Sequence, residues 1–396
     1  MPSAFLLLVS AGLAQSDPQA GEASNTQEVG ELRERVRLLE GAVDQLRGAA
    51  DAVQQEVPLD LETRIHGYGS VNLNYLEENK VLGYAIDELV FQYTANLDRK
   101  MTVNTEFSLE AEEHGVDVGI EAMELGINVA PTVQVLAGAF HLPLSPWAVT
   151  ASQGAYRYLP TAVPEALEEQ SHEEYLPIDQ TGLQVRGAVP VGFWQLSYDA
   201  AVTNGRAPDS GASPQIGDFN NFKALIGRVA LQAPLGLQVG VGGYYDLLDV
   251  HDETLLTGEE DEDEALAKKT VIDDAVEAIG SASLVWQGGP IELHSEVYTT
   301  LHQVEGVTYQ SWCGFAVVGV PIRETTPFLM ADLVLVDPDD PIYQVYDQTG
   351  PELEILPGVR HELGLHLAAK AQAEIAYEFD SQSWGWGLQG QLAAGF

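Results

Sequence analysis

Positive charge is scarce in this chain. Only 18 Lys and Arg stand against 60 Asp and Glu in 396 residues, a formal net charge of −42. A surface of that sign cannot neutralise a row of phosphates, so nucleic acid is excluded as a partner. Cysteine is almost missing. Cys313 alone rules out a disulfide framework within the chain and any Cys-x-x-Cys metal or redox motif. No run of about twenty apolar residues exists, the length a transmembrane helix needs. Catalytic constellations are lacking too. The nine His residues, among them His114, His172, His251, His294 and His302, are scattered, and no serine sits in a Gly-x-Ser-x-Gly setting, so the chain reads as a non-enzyme. What is present narrows the class. Hydrophobic content of 45% excludes a disordered acidic tail. The 38 Gly and 15 Tyr suit an all-β chain with many turns. A mean hydropathy of −0.05 is what alternating apolar and polar positions average to in a membrane β-barrel.

Residues 5–14 read FLLLVSAGLA and are followed at once by polar QSDPQ. An apolar core of that length before small residues is the pattern of a secretory signal, assigned to residues 1–15, although its leading residues lack Lys and Arg. A polar linker follows over 16–28. Val29, Leu32, Val36, Leu39, Val43, Leu46, Ala50 and Val53 then recur at spacings of three and four. This is an a/d heptad seam with mostly polar b, c and f positions, and it predicts a short coiled coil over 29–57 that ends before Pro58. Val at a with Leu at d leans toward two strands, but so few heptads leave the strand number open.

From Glu62 onward the helical period gives way to alternation. Ile65, Gly67, Gly69, Val71, Leu73 and Tyr75 share one face, and His66, Tyr68, Ser70, Asn72 and Asn74 the other. Comparable segments recur to the end of the chain, sixteen in all, and connections that are consistently short alternate with others that are mostly longer. The expected fold is therefore all-β: a 16-stranded antiparallel transmembrane β-barrel over 58–396, preceded by the helical coiled coil. A soluble sandwich or propeller is the competing architecture. Charge placement decides against it. Only Arg186 and Arg228 sit well inside strands, and alternation turns both away from the apolar side. A basic residue facing lipid at the midplane would cost about 2–4 kcal/mol, so the apolar face is the lipid face and the polar face lines a lumen. In the last strand Trp384, Trp386, Leu388, Gly390, Leu392, Ala394 and Phe396 share one face, and the sequence ends on Phe396.

That closing strand resembles the terminal strand of Gram-negative outer-membrane proteins, whose final aromatic residue is read by the barrel-assembly machinery. Three further stretches resemble trimeric outer-membrane porins, most of all the phosphate-selective porin O/P-like group with its N-terminal coiled coil. They are His66-Gly67-Tyr68-Gly69, the run GAFHLPLSPW from Gly138 to Trp147, and TGLQVRGAVPVGFWQLSYDAAVTNGR from Thr181 to Arg206. The resemblance implies passive diffusion through a water-filled pore, a homotrimer in outer-membrane lipid and a periplasmic coiled coil. It departs in one respect. Phosphate-selective members rely on lumenal Arg and Lys, whereas this lumen is rich in carboxylates.

The lumen-facing acids are expected to be Glu88, Glu106, Glu110, Asp199, Glu292, Glu296, Glu362, Glu374 and Glu378, with Arg186, Arg228 and Arg360 as the lumenal bases. In sixteen-stranded porins the connection after the fifth strand folds inward. Here that connection, 144–180, carries Arg157, Glu165, Glu168, Glu169, Glu173, Glu174 and Asp179 and is the expected constriction. Rings of Asp and Glu favour cations, so the expected function is a cation-preferring porin for small hydrophilic solutes. The alternatives are a structural or adhesive protein that uses the barrel as an anchor, and a channel specific for one solute class such as sugars. No cofactor is expected, apart from loosely bound divalent cations at the acidic run Glu259–Glu264, whose oxygens are hard ligands. Deleting residues 16–57 should weaken assembly while leaving single barrels folded, which oligomer mass and heat resistance of the two forms will show.

Overall fold

The computed structural model describes residues 62–76, 81–97, 100–112, 115–153, 158–167, 175–206, 222–251, 271–345, 351–379 and 381–396, together with Arg37. The export signal, the linker and the heptad seam from Val29 to Val53 lie outside the described residues.

Sixteen strands are present. They are β1 (Glu62–Leu76), β2 (Val81–Asn96), β3 (Met101–Glu112), β4 (Gly115–Ala130), β5 (Val133–His141), β6 (Asp179–Val191), β7 (Trp194–Thr203) and β8 (Ala224–Gln232). The second half holds β9 (Leu237–His251), β10 (Val271–Trp286), β11 (Glu292–Val304), β12 (Val307–Gly319), β13 (Thr325–Leu335), β14 (Glu352–Gly364), β15 (Leu367–Glu378) and β16 (Ser383–Gly395). Each pairs antiparallel with its sequence neighbours, and β16 returns to β1 to close the barrel. Tyr68 lies opposite Gly395 and Leu76 opposite Gly387 along that seam. Beyond it, the Phe396 and Gly67 backbones exchange hydrogen bonds of 2.8 and 3.0 Å. A closed ring leaves no unpaired strand edge, which hydrocarbon would not tolerate.

The alternation read from the sequence sorts the two faces. Ile65, Tyr84, Val118, Leu183, Val241, Trp312 and Leu388 are exposed on the outside, and Tyr68, Glu106, Gln184, Ile226, Glu277 and Phe315 are buried on the inside. Connections after even-numbered strands are all short: 97–100, 131–132, 192–193, 233–236, 287–291, 320–324 and 365–366. The four long ones, 142–178, 204–223, 252–270 and 336–351, share the opposite rim with four hairpins. The β14–β15 hairpin turns at Leu365-His366, just after Gly364. Glu305 and Gly306 both take positive φ, 52° and 84°, the conformation a two-residue hairpin requires and glycine accommodates.

The Phe396 ring lies over Gly67 and packs edge-on against Phe91 at 5.9 Å. A Cβ at Gly67 would overlap that ring and come within 2.8 Å of the Val90 carbonyl oxygen, whereas one at Gly83 would meet nothing. Gly67→Leu should therefore cost the barrel its heat-resistant band on unboiled gels, and Gly83→Leu should keep it.

Candidate functional site: the lumen and its internal segment

The lumen is divided by the connection between β5 and β6. The sequence Leu142-Pro143-Leu144-Ser145-Pro146-Trp147 cannot extend β5, since its prolines lack the donor a strand interior needs. The chain turns inward instead. Leu142 donates its amide to the Ile178 carbonyl at 2.6 Å, and His141 Nδ1 lies 3.0 Å from Asp179 Oδ1, so the two ends of the segment are stitched at the wall. Ala148–Gln153 forms a 3-10 turn, with the Ala148 amide held by Ser145 Oγ at 2.9 Å.

Apolar burial seats this segment against the barrel wall. Leu142, Leu144, Trp147, Leu167, Tyr175, Leu176 and Ile178 form one buried cluster with the inward residues Tyr298, Cys313, Phe315, Val317, Met330, Val334 and Leu356 of β11–β14, and with Ala201, Ala224, Ile226, Tyr244 and Ile279 of β7–β10. Trp147 stacks on Tyr158 at 3.6 Å and 7°, and meets Phe315 edge-on at 5.1 Å. Polar wall residues then hold the segment's backbone. Glu296 Oε1 accepts from the Trp147 amide at 2.9 Å, Arg360 Nη1 donates to the Tyr158 carbonyl at 2.9 Å, and Lys370 Nζ donates to the Pro160 carbonyl at 2.9 Å. Gln372 Oε1 accepts from the Thr161 amide and Asp332 Oδ2 from that of Glu165, at 2.9 and 2.8 Å.

Beside it a polar cavity of about 670 Å³ remains. Its wall is built by inward positions of β2–β11, including Gln92, Thr94, Asn104, Glu106, Glu124, Gln134, His141, Gln184, Arg186, Asp199, Arg228 and His294. The segment contributes Pro143, Pro146, Val149, Thr150 and Tyr158, none of them charged. Register sets the electrostatics. Gln134, Arg186, Asp199 and Arg228 lie opposite one another on β5, β6, β7 and β8, giving a ladder around the wall. Arg186 Nε donates to Gln134 Oε1 at 2.8 Å, and Gln184 Nε2 donates to Asp199 Oδ1 at 3.1 Å. Arg228 Nε and Nη2 have no hydrogen-bond partner among the described residues. Glu106 and Glu124 form an acidic sector beside the ladder on β3 and β4.

Of the acids expected to line the pore, Glu106 and Asp199 border the cavity. Glu296 does not. It is 1% exposed beneath Trp147 and bonded to His294 and Tyr298, because a backbone amide of the segment claims its carboxylate. Arg186 and Arg228 face the cavity, whereas Arg360 is a buried anchor paired with Glu362 at 2.6 Å. Glu374 accepts from Gln389 Nε2 at 2.9 Å, and Glu292 is half-buried; neither borders the cavity. Glu378 stands exposed at the rim and bonds Ser381 of its own hairpin. The Glu88 and Glu110 backbones pair directly, and their side chains lie outside the described residues. Of the expected constriction residues, Glu165 and Asp179 are described and neither borders the cavity; the Glu165 backbone amide donates to Asp332 Oδ2, and the Asp179 carboxylate lies against His141 Nδ1. Arg157, Glu168, Glu169, Glu173, Glu174 and the run Glu259–Glu264 are outside the described residues. No three His, Cys, Asp or Glu side chains converge as a metal centre would need, among the described residues.

Sequence reasoning missed Glu124, although it sits between the outward residues Met123 and Leu125. It also missed which wall carries the segment. A signal was available: Phe315–Val320 reads FAVVGV and Phe328–Val336 reads FLMADLVLV, and near-continuous apolar runs mean strands covered on both faces.

A closed sixteen-stranded barrel with an apolar exterior, short turns on one rim and an inward segment after β5 decides the fold. It is the fold of the outer-membrane porins. An anion-selective porin from Comamonas acidovorans superposes with a TM-score of 0.57 at 12% identity, covering 85% of this chain and 100% of that one. OmpF of Salmonella typhi, in complex with daunomycin, gives 0.55 at 11%, over 84% and 97% of the two chains. The trimer form of Vibrio cholerae OmpT gives 0.54 at 11%, over 85% and 99%. No protein-family model matches the chain, and no curated protein does.

Trp147 links the segment to the wall through its ring stack, its edge contact and its amide. Trp147→Ala should destabilise the segment by about 3–5 kcal/mol, the usual cost of deleting a buried Trp. Limited proteolysis should then cut within 142–178 while the barrel strands stay protected.

Proposed function

We propose that this chain is a porin-type channel of the Gram-negative outer membrane, through which small hydrophilic solutes diffuse passively with a mild preference for cations. The observation that carries the reading is the polar cavity beside the internal segment, lined by Glu106, Glu124, Asp199, Arg186 and Arg228 within a barrel whose outside is apolar. In this reading the constriction lies between the segment and the charged wall of β3–β8. Among the described residues, three carboxylates against two guanidiniums leave 2 − 3 = −1 on that wall, before the histidines. An anchor or adhesin would gain nothing from such a lining.

A second reading has its own support. Seven amides line the cavity (Gln92, Asn104, Gln134, Gln184, Gln232, Gln238 and Gln287), and each offers both donors and acceptors to a hydroxyl-rich solute. A sugar-preferring channel would show conductance that falls as sugar is added, with saturation. For assembly, we infer a homotrimer, as in the OmpT trimer form, with the seam from Val29 to Val53 adding a periplasmic helical bundle of the kind seen in the porin O/P-like group.

Planar-bilayer recording in a salt gradient tests the main reading. The refolded protein should conduct, with a reversal potential of cation-selective sign. Replacing Glu106 and Glu124 with Gln and Asp199 with Asn should carry it through zero, and replacing Arg186 and Arg228 with Gln should increase it. Both shifts should shrink as salt rises above 0.15 M, where the Debye length is already about 8 Å. A protein that forms no conducting unit would return the barrel to the role of anchor.

A further inference from the structure

A second cluster of charge lies away from the cavity and under the long-connection rim. Arg206 follows β7, where Gly205, at φ 88°, packs so closely on the Asp246 carboxylate that no Cβ would fit. The turn aims the guanidinium inward, and its side chain is 1% exposed. Arg206 Nη2 donates to Glu277 Oε1 at 2.9 Å and to the Tyr175 carbonyl at 3.1 Å, while the Arg206 amide donates to Asp246 Oδ2 at 3.1 Å. Glu277 Oε1 is also 3.1 Å from His302 Nε2, and His302 Nδ1 is 2.7 Å from Asp340 Oδ2. Asp340 in turn caps the helical turn Pro341–Val345 through the Ile342 amide, and Tyr343 of that turn donates its hydroxyl to the same Tyr175 carbonyl at 3.3 Å.

Tyr175 belongs to the internal segment. Arg206 belongs to the 204–223 connection and Asp340 and Tyr343 to the 336–351 connection, so one carbonyl is gripped from two long connections and, through Glu277, from the wall. We propose that Arg206 is a positioning residue for the channel: its guanidinium fork latches the returning arm of the internal segment at Tyr175 and keeps that arm out of the passage. The inference rests on the diffusion-channel reading above. Neither Arg206 nor Glu277 borders the cavity, so any effect on ion flow has to travel through the segment. Charge alone does not explain the arrangement. A point charge would satisfy Glu277, but the planar fork holds that carboxylate through both Nε and Nη2 in a fixed orientation while Nη2 also reaches the Tyr175 carbonyl.

Single-channel recordings of the full chain test this with two variants that preserve the cluster's charge balance. Arg206→Lys keeps the cation without the fork. Arg206→Gln with Glu277→Gln removes both charges, so neither is left as an uncompensated buried charge. Both should give folded, heat-resistant barrels that reach the unaltered unit conductance between closures. Both should spend about tenfold more time closed, the population shift that follows from losing one hydrogen bond made by a charged group. Folded variants that record as quietly as the unaltered channel would overturn the latch. So would variants that never form heat-resistant barrels, since Arg206 would then serve folding. If the unaltered protein itself does not conduct, the channel reading fails first, and the two failures are told apart by that control.

Discussion

Everything in this molecule depends on backbone hydrogen bonds that have no water to fall back on. In hydrocarbon an unpaired amide or carbonyl costs several kcal/mol, so a sheet must close on itself. The closure falls at one seam, where β16 meets β1 and Phe396 exchanges both of its backbone bonds with Gly67. Once the ring is shut, side-chain alternation has a single meaning: odd and even positions face lipid or lumen, and a charge on the wrong face is ruled out. The scarcity of Lys and Arg in the strands follows from the same constraint.

The closed ring creates a second problem, a lumen too wide to leave empty on every side. The internal segment solves it asymmetrically. Over β11–β14 it buries an apolar inner face, with Trp147 and Tyr158 against Phe315 and the cavity left beside it. Over β13–β15 the wall reaches back with Asp332, Arg360, Lys370 and Gln372, each bonded to a backbone group of the segment. These polar side chains do structural service, and among the described residues the charge that borders the cavity comes from β3, β4 and β6–β8.

Buried charge is handled by sharing. Arg206 answers to Glu277 and Tyr175, and Glu277 to Arg206 and His302, so no member of that cluster is left with a single bond. In a low-dielectric pocket an incomplete network of this kind would be costly. Here three separate parts of the chain complete it, which couples the long connections to the segment that narrows the lumen.

The sequence by itself determined the strand count, the antiparallel ring and the outward face, because alternation of polarity is a local property and lipid enforces it at every residue. It also marked the segment after β5 as the one that turns inward, through its place after the fifth strand in a chain that resembles sixteen-stranded porins. Tertiary structure decided which lumenal residues meet the passage. Glu296, Arg360 and Glu106 share the same inward alternation, yet the first two are consumed by the segment's backbone and only the third borders the cavity. Alternation assigns a face, but the height at which the segment crosses, and the wall it lies against, follow from apolar contacts between residues as distant as Trp147 and Phe315. Those contacts join residues far apart in the chain, so the apolar runs of β12 and β13 mark a covered wall without telling what covers it.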